Sequence, residues 1–348
     1  MSKDIFKRSS KPIAVWLLVG VGMIMIQVIL GGITRLTGSG LSITEWKPIL
    51  GSIPPMNEQD WLAAFNKYKA IGQFKQINFD FTLQDFKFIY FWEFFHREWG
   101  RLIGIVFAIP FLIFLFQKRF QKNMIIPLII LFLLGALQSV IGWIMVQSGL
   151  NEEDIYVNHI RLAVHFISAL GLLCYTFWFS LKLLVPERQL VYHPLLKKYT
   201  LSILSILILQ LFYGALMAGL KAGVEAPTWP DINGTWLPIG EGRNLINDAI
   251  MVQFIHRSIA YLITVLIVVW WWKARSIKKS QLFSKLNLMP PVFILLQVIL
   301  GIFTVLYSPK PHYLLWLGVS HQFVGMLLLM IFIVMVYLLK GKTFIPAS

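Results

Sequence analysis

The sequence predicts an all-α polytopic membrane protein whose eight transmembrane helices form two pseudo-two-fold-related four-helix bundles. Composition is the first reason. Of the 348 residues, 57% are hydrophobic and only 14% charged, where a soluble domain carries about a quarter charged residues, and the mean hydropathy is +0.70. The second reason is the form of the apolar runs. Several reach the ~20 residues that cross a hydrocarbon core as a helix. They are continuous rather than alternating over ~10 residues, which excludes a transmembrane β-barrel. The third is an internal repeat of polar signals inside those runs.

The eight spans are expected near 13–33, 91–116, 124–147, 162–181, 199–220, 249–272, 288–308 and 313–339. The first follows Lys3, Lys7, Arg8 and Lys11. It has no small-residue cleavage site, so it reads as a span and not as a removable signal. The opening dozen residues are also short for a mitochondrial transit peptide. Basic residues return at 118–122, 188–198 and 273–285 and at Lys340 and Lys342, whereas 151–154 holds three acids and no base. The positive-inside rule then places both termini in the cytoplasm. It also accounts for the net charge of +15 without nucleic acid. The single cysteine, Cys174, lies in an apolar run. It excludes an intrachain disulfide and a thiolate cluster, and reads as a small buried hydrophobe.

Two connections are long, 34–90 and 221–248, and both fall outside. They carry Trp46, Pro48, Pro54, Pro55 and Trp61, and Pro227, Trp229, Pro230, Trp236 and Pro238. Long ordered loops are often functional, while tryptophans at such positions also form interfacial belts.

The repeat is a glutamine with a glycine four residues later: Gln27/Gly31, Gln138/Gly142, Gln210/Gly214 and Gln297/Gly301. Each is followed by a histidine with a small residue four later: His96/Gly100, His165/Ala169, His256/Ala260 and His321/Gly325. Four residues is about one helical turn, so each pair shares a face. His96 and His256 lie 160 residues apart, Gln138 and Gln297 159, and His165 and His321 156. The chain therefore divides into halves 1–186 and 187–348. An even number of spans in each gives both halves the same orientation, related by a two-fold axis along the membrane normal.

Every repeated histidine sits near the start of an even span, in the outer third of the membrane. Each half holds two, on its second and fourth helices, where they can face one another across a bundle. Ionisable groups inside a membrane are functional candidates by default. Two axial imidazoles per half suit a six-coordinate heme iron better than zinc, because no carboxylate or thiolate completes a tetrahedral shell in the second half. The small residue one turn on leaves room for a flat macrocycle. His159, His193 and His312 stand outside the pattern. The glutamines and their glycines read as hydrogen-bonding and close-packing devices between helices.

The halves are not equivalent. The segment Glu93-Phe94-Phe95-His96-Arg97-Glu98-Trp99-Gly100-Arg101 has as its counterpart Gln253-Phe254-Ile255-His256-Arg257-Ser258-Ile259-Ala260-Tyr261. Glu93 stands three residues before His96, on nearly the same face. There it could move protons or stabilise positive charge, or simply pair with an arginine. The asymmetry points to a reactive site in the first half and an inert cofactor site in the second. Arg97 and Arg257, each beside a histidine, are candidates for pairing with heme propionates. Arg35 and Arg161 are further candidates, with a lipid headgroup as the alternative partner.

These segments resemble the heme A synthase family. The resemblance also rests on Gly31-Gly32-Ile33-Thr34-Arg35-Leu36-Thr37-Gly38-Ser39-Gly40-Leu41-Ser42, on Ala218-Gly219-Leu220-Lys221-Ala222-Gly223 and on Thr228-Trp229-Pro230. It covers nearly the whole chain, through the order and spacing of the motifs and not through any single one. It implies an oxidoreductase that converts the C8 methyl group of heme O into a formyl group, giving heme A for terminal oxidases, with oxygen drawn from water. It implies heme B as cofactor, on His256 and His321, a substrate-heme site on His96 and His165, and Glu93 as the catalytic acid. A heme O synthase and oxidase assembly factors are the implied partners, and a bacterial cytoplasmic (inner) membrane the location. The oligomeric state is left open. Some members carry a cysteine pair in the first outer loop; this chain has none there and resembles the cysteine-free branch. Two other readings remain: a di-heme electron-transfer cytochrome, and a heme transporter suggested by the internal repeat.

Overall fold

The computed structural model describes residues 2–48, 50–238, 240 and 243–341. Lys342 and the side chains of Lys3, Lys7 and Arg8, counted above as inner-side bases, lie outside the described set. Among the described residues all regular structure is helical, apart from two isolated bridges, Tyr192 with Lys340 and Ile232 with Thr235. In chain order the α-helices are α1 (Ser2–Leu36), α2 (Glu58–Lys69), α3 (Gly72–Gln76), α4 (Leu83–Phe116), α5 (Lys122–Gln147) and α6 (His159–Leu184). They continue with α7 (Pro194–Gly219), α8 (Ala222–Glu225), α9 (Ala249–Ala274), α10 (Gln281–Leu286), α11 (Met289–Leu306) and α12 (Pro311–Leu338). Eight stretches are long and apolar enough to cross a membrane, and they coincide with the eight expected spans; the seventh joins α10 to α11.

Helices are the outcome lipid demands, because an open backbone has no water to bond with there. Where the chain leaves the apolar zone, side chains close the helix ends. Thr82 and Asp85 form a reciprocal capping box at the start of α4. Asn158 caps α6 and Asp248 caps α9 through their side-chain oxygens. Each such cap satisfies a backbone donor that the first turn leaves open.

α1 packs on α4 and α6, and α5 on α6; in the second half α7 packs on α9 and α12, and α11 on α12. Contacts of α6 with α7 and of α1 with α12 join the halves. In the first set the second and third spans, α4 and α5, touch far less than the other neighbouring pairs. The main core draws on α1, α6, α7, α9 and α12 and includes Leu173, Ile203, Ile267, Trp270 and Phe332, all fully buried. Even here a polar atom finds a partner: Trp270 Nε1 donates to Thr200 Oγ1 at 2.8 Å.

The long connection 34–90, with the start of α4, builds a small core of its own at one end of the helices. Phe86, fully buried, stacks on Phe65 with ring centroids 5.0 Å apart, beside Tyr68, Ile71 and Leu41. Tyr68 donates to Gln73 Oε1 at 3.0 Å and accepts from Asn78 at 2.7 Å, and burial pushes its phenol up to about 12. Gly72 N–H donates to Asn151 O at 2.7 Å, tying this cap to the connection between α5 and α6. A β-carbon at Gly72 would lie 2.8 Å from the carbonyl oxygens of Glu152 and Asp154.

Candidate functional site

The repeated signals meet in space as an interlock. A β-carbon at Gly31 would lie 3.2 Å from His96 Cε1, and one at Gly214 3.2 Å from His256 Cε1. At Gly142 and Gly301 the corresponding distances to His165 and His321 are 2.8 and 2.9 Å. Each imidazole thus packs against the glycine of the preceding span through its Cε1 edge. The reciprocal half is visible at Gly100 and Gly325, whose β-carbons would stand 3.5 and 3.0 Å from the amide nitrogens of Gln27 and Gln297. The small residues at these two positions make room for a glutamine, where the sequence had suggested room for a macrocycle.

The glutamines reach the histidines themselves. Gln27 Nε2 is 3.2 Å from His96 Nε2 and donates to the His96 carbonyl at 3.1 Å. Gln210 and Gln297 Nε2 stand 3.2 and 3.3 Å from Nε2 of His256 and His321. Gln138 differs: its Nε2 is 3.1 Å from His165 Nδ1 and donates to the His165 carbonyl at 2.8 Å, while Oε1 accepts from Ser168 Oγ at 2.7 Å. Nδ1 of His96, His256 and His321 and Oε1 of Gln27, Gln210 and Gln297 are buried with no hydrogen-bond partner. An unpaired buried polar atom costs about 1–3 kcal/mol, so this concentration of them marks a place prepared for something besides helix packing.

The second-half pair fits a heme. The His256 and His321 rings lie 6.4 Å apart, centroid to centroid, with planes inclined by 70°. Two imidazoles on opposite sides of one metal, with metal–nitrogen bonds of about 2 Å, put their centroids about 6 Å apart. Among the described residues no three His, Cys, Asp or Glu side chains cluster as a metal shell. A bare zinc ion needs about four protein donors. A metalloporphyrin brings its own equatorial nitrogens and asks only for two axial ones.

Beside each first-and-second-span pair an outer segment is strapped to the helix. Glu93, 3% exposed, accepts from Ser42 Oγ at 2.7 Å and Ile43 N–H at 2.9 Å through Oε2, and from Arg97 at 2.6 Å through Oε1. Arg97 also donates to the carbonyls of Glu45 and Ile43 at 3.0 and 2.9 Å. Arg101, paired with Glu98, donates to Pro48 O at 2.7 Å and Lys47 O at 3.0 Å. In the second half Gln253 donates to Ala226 O at 2.9 Å, and Arg257 to the carbonyls of Thr228 and Asp231 at 2.7 and 2.8 Å. Tyr261 accepts from Trp229 Nε1 at 3.1 Å. Positions 93, 97 and 101 thus correspond to 253, 257 and 261 in task as well as in sequence. On these straps, hydrogen bonds from Lys47 and Lys67 hold the Glu45 carboxyl below the usual range. The Gly234 N–H does the same for Asp231.

The remaining candidates lie apart. Arg35 donates to Ala218 O at 3.0 Å, clipping the end of α1 to the end of α7. Arg161 donates to Ile144 O at 3.0 Å. His159 meets Asn247 Oδ1 at 3.0 Å, His193 caps α7 by accepting from Leu196 N–H at 3.2 Å, and His312 lies in the first turn of α12. The four arginines singled out by the sequence therefore all serve backbone carbonyls, and the reach of the glutamines to the rings went unread. Reciprocal i, i+4 spacing on consecutive spans was the available signal for the latter.

Eight apolar spans, the adjacent His256 and His321 rings and a buried carboxyl three residues before His96 define a helical membrane protein with imidazoles set between its spans. The profile of the cytochrome oxidase assembly protein family, COX15-CtaA, matches residues 14–333, and the chain belongs to that family. It is 38% identical over 333 residues to the heme A synthase of Flavobacterium johnsoniae, covering 93% of this chain and 96% of that protein. The heme A synthase of Flavobacterium psychrophilum is 39% identical over 339 residues, 92% of this chain and 96% of that protein. That of Nitrosomonas eutropha is 38% identical over 315 residues, 88% of each.

The interlock makes a measurable demand. Overpacking costs about 1–3 kcal/mol, and each 1.4 kcal/mol is tenfold in an equilibrium. Gly301→Val, driven against His321, is expected to lower the Soret absorbance per protein about tenfold. Gly171→Val, at a glycine with open space around it, leaves that absorbance unchanged. Equal absorbance in both variants would count against the interlock.

Proposed function

We propose that this chain is a heme A synthase of the membrane. It oxidises the C8 methyl group of heme O to a formyl group, with heme B resident on His256 and His321 and substrate on His96 and His165. The observation that carries the reading is the broken symmetry at one strapped position. Glu93 is a buried acid three residues before His96, and its equivalent beside His256 is the neutral Gln253. The families of relatives bearing the same name support the activity.

Conversion of a methyl to a formyl group with oxygen from water releases four electrons and four protons, in two stages, and the electrons pass to an external electron acceptor. Bound heme B supplies one-electron redox chemistry. The first-half residues do the rest. His96 and His165 orient the macrocycle. Arg97, held at Glu93 and the 43–45 carbonyls, keeps the carboxyl aimed along the helix face. Glu93 accepts a proton or faces the positive charge that develops as the methyl carbon is oxidised. The arginines are committed to carbonyls, so propionate pairing by Arg35, Arg97, Arg161 or Arg257 requires that they share their remaining donors. A heme O synthase would supply the substrate and oxidase assembly factors would take the product.

Expressed in a host that makes heme O and lacks its own synthase, the protein is expected to yield heme A on extraction and chromatography. Glu93→Gln, which keeps hydrogen-bonding capacity for the strap, should cut that yield by about 100-fold or more with the resident heme spectrum intact. His256→Ala or His321→Ala should abolish that spectrum. The same construction of both pairs is what a di-heme electron carrier would also show; full heme reduction kinetics with no heme A in any strain would establish that reading instead.

Both termini lie on the cytoplasmic side, on the argument that Lys118, Arg119 and Lys122, the 188–198 bases and Lys340 share one face. Lys278→Cys in a Cys174→Ala background, at an exposed position on the same expected side as the termini, should resist a membrane-impermeant maleimide in intact cells. Ready labelling there would invert the topology.

A further inference from the structure

We propose that segment 42–48 is a movable strap across a lateral doorway between α4 and α5, through which the porphyrin substrate passes between the lipid and the first-half site. The inference rests on the assignment of that half as the substrate site.

The seam between α4 and α5 is the sparsest within the first half. Both helices leave large apolar side chains exposed, among them Phe95 and Leu102 on α4 and Val140 and Ile144 on α5. The strap bridges the two helices, held on α4 next to His96 and on α5 next to Gly142. On the α4 side Arg97, next to His96, and Arg101, one turn further, hold four backbone carbonyls of the strap. On the α5 side Trp46 stacks on Trp143, with ring centroids 5.8 Å apart and planes within 15°. Trp143 follows Gly142, the glycine on which His165 rests. The Arg97 guanidinium also lies 5.8 Å from the Trp143 ring centroid, so one residue touches the strap, the acid and the far wall.

The second half closes the equivalent seam differently. There α8 packs against both α9 and α11. It is tied to the end of α11 by Ser308 Oγ, which donates to Gly223 O at 2.6 Å, and its flanks Ala222 and Ala226 are fully buried. The first-half strap has no helix within residues 42–48, and its Trp46 remains 44% exposed. A resident cofactor needs no exit. A substrate that enters as one porphyrin and leaves as another needs one each turnover. Hydrogen bonds on one side and an exposed ring stack on the other make a closure that can swing from its α4 edge.

The test uses the heme B-loaded protein with Cys174→Ala, Trp46→Cys and Trp143→Cys, joined by a short cleavable bis-maleimide and supplied with heme O in liposomes. Crosslinking is expected to slow heme O uptake and heme A release about tenfold or more, as restraint of a gating motion does. Cleavage of the linker should restore both, with the heme B spectrum unchanged throughout. Arg101→Leu tests the same strap without thiols and should speed heme loss from the first half about tenfold, leaving the second-half heme in place. Uptake at an unaltered rate in the crosslinked protein, or unaltered heme loss in Arg101→Leu, overturns the doorway alone. If the uncrosslinked protein takes up no heme O, the substrate-site assignment fails and the doorway falls with it.

Discussion

A neutral imidazole inside a membrane needs its polar edge met by another side chain, and every feature of the site follows from how this chain does so. Water is absent there and helices gain nothing from hydrophobic burial against one another, so association depends on close packing and on polar contacts between helices. Each histidine lies on a glycine of the preceding span, and that span's glutamine reaches a ring nitrogen. Exchanging any glycine for a larger residue moves the ring. Losing the glutamine leaves it free to turn. The pairing also fixes depth, because two helices joined by such a key can slide by no more than a fraction of a turn. Four copies of the key hold the rings on α4, α6, α9 and α12 each against the span before it.

On that frame the outer segments are fastened at three positions one turn apart, and this is where the two halves part company. In the second half the fastenings are an amide, an arginine and a phenol. In the first they are one acid and two arginines, with Glu93 buried and Glu98 paired to Arg101. A buried acid–arginine pair is a weak source of stability, since desolvation offsets most of the attraction. Its presence at a position where a neutral amide holds an equivalent loop is therefore better explained by chemistry than by folding. The two halves carry the same glutamine–glycine–histidine contacts, and a few side chains on the fastened segments set them apart.

Much of this was legible in the sequence because membrane constraints are severe. Apolar length alone located all eight spans, and identical spacing located four histidines among seven. The tertiary meaning of Gln27, Gln138, Gln210 and Gln297 was harder to read, because spacing along a helix says which residues share a face but not which face the neighbouring helix offers. Arg97 and Arg257 were open for a different reason. A guanidinium beside a histidine can serve a carboxylate or a carbonyl equally well, and the choice depends on where the outer chain returns. Residues 42–48 and 226–231 carry no periodicity that would announce the return; their backbone carbonyls, not their side chains, make most of the contacts.

The central claim is that the two histidine pairs are iron sites with different tenants. Iron-edge anomalous scattering from crystals of the purified protein, before and after loading with heme O, addresses it most directly. The account expects one iron peak between His256 and His321 in the protein as isolated, and a second between His96 and His165 only after loading. A resident iron in the first half, or iron lying outside both pairs, would contradict it.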